Sequence, residues 1–150
     1  MIPRPATRNG EMGLAESKNQ PRLAVVLRVF GGLDALAILA VLLPPEWMAK
    51  AHAWLGLGQL PREPIVGYLT RSASALYALH GAMILFISFD TRRYDRLITF
   101  LAAAALVHGA VMLGIDLAVG MPAFWTLYEG PAFAATGALV LVIQRREKHG

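Results

Sequence analysis

Two His-Gly pairs sit in the middle of strongly apolar stretches, His80 in "ALHGAMIL" (78–85) and His108 in "LVHGAVML" (106–113). One imidazole from each of two adjacent helices is a known way to hold a haem iron or another metal. Four charged residues, Asp34, Arg71, Asp116 and Glu129, also stand inside apolar runs. A charge at the centre of a membrane helix costs about 2.5–3.5 kcal/mol on insertion scales, so such residues need partners. One guanidinium and three carboxylates can neutralise one another and pin helices together. The same set can line a small outward-facing polar pocket for an ion, a proton or a polar headgroup.

The elements that position these groups follow from composition. The chain is 150 residues long, one domain's worth, and 56% of it is hydrophobic, too apolar for a small soluble domain that must wet its surface. It has no cysteine, which excludes disulfides, thiolate metal sites and cysteine nucleophiles. A nucleophile–base pair, an HExxH spacing and a phosphate loop are missing from it as well, so an enzyme is not expected. The net charge of +4 resides in tails and one loop rather than on a basic face, so nucleic acid is not an expected partner. Four runs reach the roughly 20 apolar residues that cross a bilayer, at 23–43, 66–89, 97–119 and 122–143. The expected fold is an all-α membrane protein, an up-down bundle of four transmembrane helices spanning 23–143.

Flanking segments complete the plan. Residues 1–22 are polar and rich in Pro and Asn and read as a disordered tail; 144–150 read as a short basic tail. Lys and Arg at the span ends number ten in the two tails and the 88–96 loop (Arg4, Arg8, Lys18, Arg22, Arg92, Arg93, Arg96, Arg145, Arg146, Lys148). They number two, Lys50 and Arg62, in the other loops. That bias places both termini in the cytoplasm of a bacterial cell and the multi-pass chain in its inner membrane. After the first span, Pro44 and Pro45 stop one helix and start another. Trp47, Met48, Ala51, Trp54 and Leu55 then recur at helical spacing, as in an amphipathic helix lying on the outer interface. Trp125, in the "GMPAFW" turn, reads as a further interface anchor.

Facing decides between the chemistries. At 100° per residue, Leu76, Leu79, Met83 and Phe86 share one arc of the second span, and Ser74, Tyr77, Gly81 and Ser88 the opposite, inner arc. Arg71 lies at one edge of that inner arc and His80 at the other. On the third span Ala105, Gly109, Met112 and Asp116 share a face, with His108 near its edge. Marginal facing, and the lack of further His or Met partners, make packing the expected role of both histidines; metal and cofactor are not expected. The charged set, with Ser74 and Tyr77 beside it, is the stronger candidate: Asp34, Arg71, Asp116 and Glu129 fall at overlapping depths in the outer half of the bundle. Pro131 should kink the fourth span next to Glu129. Small residues at Gly31, Gly32, Ala35, Ala102, Ala105, Gly109, Ala134, Gly137 and Ala138 mark the expected helix contacts.

The strings "GYLTRSASALYALHG" (67–81), "SFDTRRY" (88–94) and "GIDLAVGMPAFWTLYEGP" (114–131) resemble a group of small bacterial four-helix membrane proteins, and the overall plan is similar to that of the DoxX-like proteins. The resemblance implies the architecture and carries no activity with it. Two roles remain open. The chain can be a non-catalytic accessory or interaction subunit, partnered by the bilayer and by copies of itself or a larger membrane complex. Alternatively it is a small oligomeric transporter or binding protein using the polar pocket. A bis-histidine haem carrier is a distant third.

Overall fold

The computed structural model describes residues 20–149; the tail expected over 1–22 therefore lies mostly outside the described residues. All described regular structure is helical: α1 (Pro21–Ala35), α2 (Ile38–Leu42), α3 (Pro45–Trp54), α4 (Pro64–Ile87), α5 (Asp95–Val119) and α6 (Ala123–His149). Pro21, Pro45 and Pro64 each open a helix at its first turn, where a missing N–H costs nothing. The α1 helix thus begins inside the stretch expected to be tail. Between α1 and α2 the ladder tightens: the Ala37 N–H bonds the Asp34 carbonyl at 3.0 Å, three residues back, and Leu39 and Ala40 repeat the pattern. Gly120, in the left-handed region at φ 71°, ends α5, and Pro122 precedes α6.

Two antiparallel pairs organise the chain, α1–α2 with α4 and α5 with α6. Each is set by glycine. A Cβ on Gly31 would lie 2.9 Å from Ile84 Cγ2 and 3.0 Å from the Gly81 carbonyl oxygen. One on Gly109 would lie 2.5 Å from the Gly130 carbonyl oxygen, and one on Gly130 2.6 Å from that of Gly109. Only residues without a side chain permit such backbone contact. Ala35, Ala102, Ala105, Ala134 and Gly137 take part as the sequence indicated; Gly32 meets nothing.

The pairs join at the end that holds Gln20, the 88–94 turn and the last turns of α6. Leu23, Leu27, Ile84, Ile87, Ile98, Ala102 and Val140 form the core there. The Glu147 carboxylate accepts the N–H groups of Arg22 (2.9 Å) and Leu23 (3.3 Å), donors that the first turn of α1 cannot satisfy itself. Gln144 Nε2 donates to Asp95 Oδ1 at 2.7 Å, and Lys148 Nζ meets Asp95 Oδ2 at 2.7 Å. These contacts explain why 144–149, expected as a tail, continue the helix. On the neighbouring surface the Arg28 guanidinium covers the Phe89 ring at 5.2 Å.

Among the described residues, three helices are long and apolar enough to cross a membrane: Pro21–Leu42, Asp95–Val119 and Ala123–Lys148. The shares of their apolar windows buried within the protein are 11%, 17% and 22%, so most of that apolar surface faces outward and requires an apolar surrounding. The fourth expected span is the 24-residue α4, about 36 Å long at 1.5 Å per residue. Arg71, Ser72, Ser74 and His80 interrupt its apolar run.

Candidate functional site

The α4 helix sorts as its sequence indicated. Leu76, Leu79, Met83 and Phe86 are exposed; Gly81 and Ser88 are buried, and Ser74 and Tyr77 half-buried between. Away from the common core α4 and α5 do not pack along each other, and a cavity of about 530 Å³ opens between the two helix pairs. Its walls divide chemically. Toward the core they are Leu27, Ile84, Ile87, Ile98, Leu101 and Val140. Toward the other end they are Asp34, Tyr77, His80, Trp125 and Glu129, with the ring of Phe133.

Each polar group is held by its own element. Asp34 follows Gly31 by three residues, so the close α1–α4 approach brings its carboxylate to α4, where Oδ2 meets His80 Nδ1 at 2.9 Å. This is also where the helix tightens before α2. On α6, Trp125 and Glu129 are one turn apart, and the indole N–H donates to Glu129 Oε2. The helix runs through Pro131 without interruption, and Gly130 packs on Gly109. Tyr77 stacks on Phe133 across the cavity, with centroids 6.2 Å apart, and His108 meets the same ring edge-on at 4.8 Å.

The charged cluster expected around Arg71 does not form. Arg71 Nε donates to the Val41 carbonyl at 3.2 Å and Nη2 to the Leu43 carbonyl at 3.0 Å. The prolines at 44 and 45 end α2 abruptly and leave its last carbonyls without helical partners. The guanidinium, a cation with fixed donors, serves two of those carbonyls at the negative end of α2. Ser74 bonds its own helix, Oγ to the Thr70 carbonyl at 2.8 Å. Asp116 is 3% exposed on the α5–α6 side, and its Oδ2 has no hydrogen-bond partner. Of the six pocket candidates the cavity therefore gathers Asp34, Tyr77 and Glu129 and leaves out Arg71, Ser74 and Asp116.

His80 joins the cavity, but through Asp34 rather than His108, which packs against Phe133 on α6. No group of three or more His, Asp or Glu side chains is placed to hold a metal ion among the described residues. Several residues of the cavity were not singled out for it in the sequence, Trp125, Tyr128 and Phe133 among them. Trp125 passed as an interface anchor although its i,i+4 spacing to Glu129 was visible, and Phe133 carried no signal apart from its neighbours. Comparison with protein-family models, with curated proteins and with solved structures finds no match.

Proposed function

We propose that the chain is an integral membrane protein of four up-down transmembrane helices, in a bacterial inner membrane with both termini cytoplasmic. It acts without catalysis, by holding a small molecule with a polar head and an apolar body in the cavity between its two helix pairs. The observation that carries this reading is the division of the cavity wall into an apolar end and a polar end. A volume of about 530 Å³ falls within the range of small-molecule sites, roughly 300–1,000 Å³. The basic residues gather at the core end, so the polar end faces outward, and α3 with its exposed Trp47 and Trp54 lies on the outer interface. An α4 crossing the membrane keeps Arg71 near that outer surface, where its partners are backbone carbonyls. A binding role suits both a free-standing transporter and an accessory subunit of a larger complex.

The direct test is native mass spectrometry of the protein purified in lipid nanodiscs. A bound molecule beyond bulk lipid should be present in the parent and lost in Thr136→Phe, which places a ring in the cavity. Equal occupancy in parent and variant would remove the cavity from the function.

A further inference from the structure

From the charge of the polar end we infer that the cavity takes a lipophilic organic cation, its positive centre between Asp34 and Glu129 and its apolar body against the core. The inference rests on the binding role proposed above and adds the sign of the ligand's charge. Two carboxylates face the cavity, and among the described residues no Lys or Arg lines it. The basic group among the described lining residues, His80, gives its Nδ1 to Asp34 Oδ2. Glu129 receives a neutral indole N–H on Oε2. Asp34 Oδ1 and Glu129 Oε1 have no hydrogen bond among the described residues, which leaves one acceptor oxygen of each carboxylate available.

The remaining groups at this end are aromatic. Tyr77, Trp125, Tyr128 and Phe133 line it with Asp34 and Glu129. Aromatic faces attract a cation through the ring quadrupole, most strongly where water is excluded, and give nothing comparable to an anion. An anionic head would meet two carboxylates in a low-dielectric site. A neutral polar head meets the Tyr77 and Tyr128 hydroxyls as donors but brings no positive charge to the two carboxylates. Leu27, Ile84, Ile87, Ile98 and Val140 exclude a small hydrated ion from the rest of the space and suit hydrocarbon or aryl substituents instead.

Three probes of similar shape separate the possibilities: tetraphenylphosphonium, neutral triphenylphosphine oxide and tetraphenylborate. Each is measured by equilibrium dialysis against the protein in nanodiscs, with empty nanodiscs subtracted. The phosphonium should bind on the order of tenfold more tightly than either of the others. Glu129→Gln and Asp34→Asn should each weaken phosphonium binding several-fold and leave the phosphine oxide unchanged. The double variant should abolish the preference, and Thr136→Phe should lose all specific binding. Folding of each variant is checked by gel filtration and circular dichroism; if the double variant does not fold, Glu129→Gln alone decides. Equal binding of cation and neutral probe, or a preference for the borate, would overturn the cation assignment and leave the cavity role standing. Binding of none of the three would overturn both.

Discussion

Arg71 shows how the chemistry of one side chain selects its partner. Its guanidinium never loses its charge and presents donors in a fixed fork, and the abrupt end of α2 supplies two carbonyls at 3.2 and 3.0 Å. Hydrogen bonds to a charged group contribute about 1.5–3 kcal/mol, so Arg71→Ala should lower the detergent-solubilised melting temperature measurably, and Arg71→Lys should restore part of it. Carbonyls do not titrate. The loss should therefore be the same at neutral and mildly acidic pH, and recovery on acidification would reveal a carboxylate partner instead. Asp116 presents the opposite case. An acceptor buried without a partner costs about 1–3 kcal/mol, and an ionised one more, so Asp116→Asn should be at least as stable as the parent. A marked fall in melting temperature would mean that the carboxylate is used.

Between helices, backbone contact decides stability, because lipid supplies no hydrophobic drive to hold apolar faces together. Gly109 and Gly130 oppose each other so closely that a methyl group on either must displace the other's backbone. Gly109→Ala should destabilise the α5–α6 pair by about 1–3 kcal/mol, the usual effect of overpacking. Gly114, five residues on in the same helix, faces open space, and Gly114→Ala should be neutral or stabilising by up to about 1 kcal/mol. Thermal melts of the two variants side by side separate packing from helix propensity. If both shift equally, the close approach does not hold the pair. At the core end Glu147 does for α1 what a capping residue would do, but from another helix. That long-range cap ties α1 and α6 together.

For the molecule as a whole, the asymmetry of charge and the division of the cavity run along one axis. The core, the Asp95–Lys148 ion pair and the arginines of the 88–96 turn lie at one end, the two cavity carboxylates toward the other. The proposed topology, with both termini cytoplasmic, puts Gln59 and Arg92 on opposite sides of the membrane. Both are exposed, and the chain has no cysteine of its own, so single cysteines at these positions report cleanly. A membrane-impermeant maleimide should label Gln59→Cys in intact cells and reach Arg92→Cys only after lysis. Labelling in the reverse order would invert the orientation and turn the cavity toward the cytoplasm.

What the sequence determined by itself is what periodicity and composition encode. The approximate placement of the long helices, the Pro45 start, the outward arc of Leu76, Leu79, Met83 and Phe86, and most of the glycine and alanine contacts were legible, because each depends on local geometry or on one helix's own 100° rotation. Depth along the spans was enough to bring Asp34 and Glu129 to one level, and the inner arc of α4 placed Tyr77 beside them. Depth could not give azimuth between helices, and that is what separates Asp116 and Arg71 from the cavity. Two helices can carry groups at the same height and still turn them to different neighbours. The pairing of Asp34 with His80, the binding of Arg71 to carbonyls freed by Pro44 and Pro45, and the meeting of Glu147 with the start of α1 each join residues 28 to 125 positions apart. Only the packing of α1 on α4, and of the α5–α6 pair against both, decides them, because no local rule fixes which face of one helix meets which face of another.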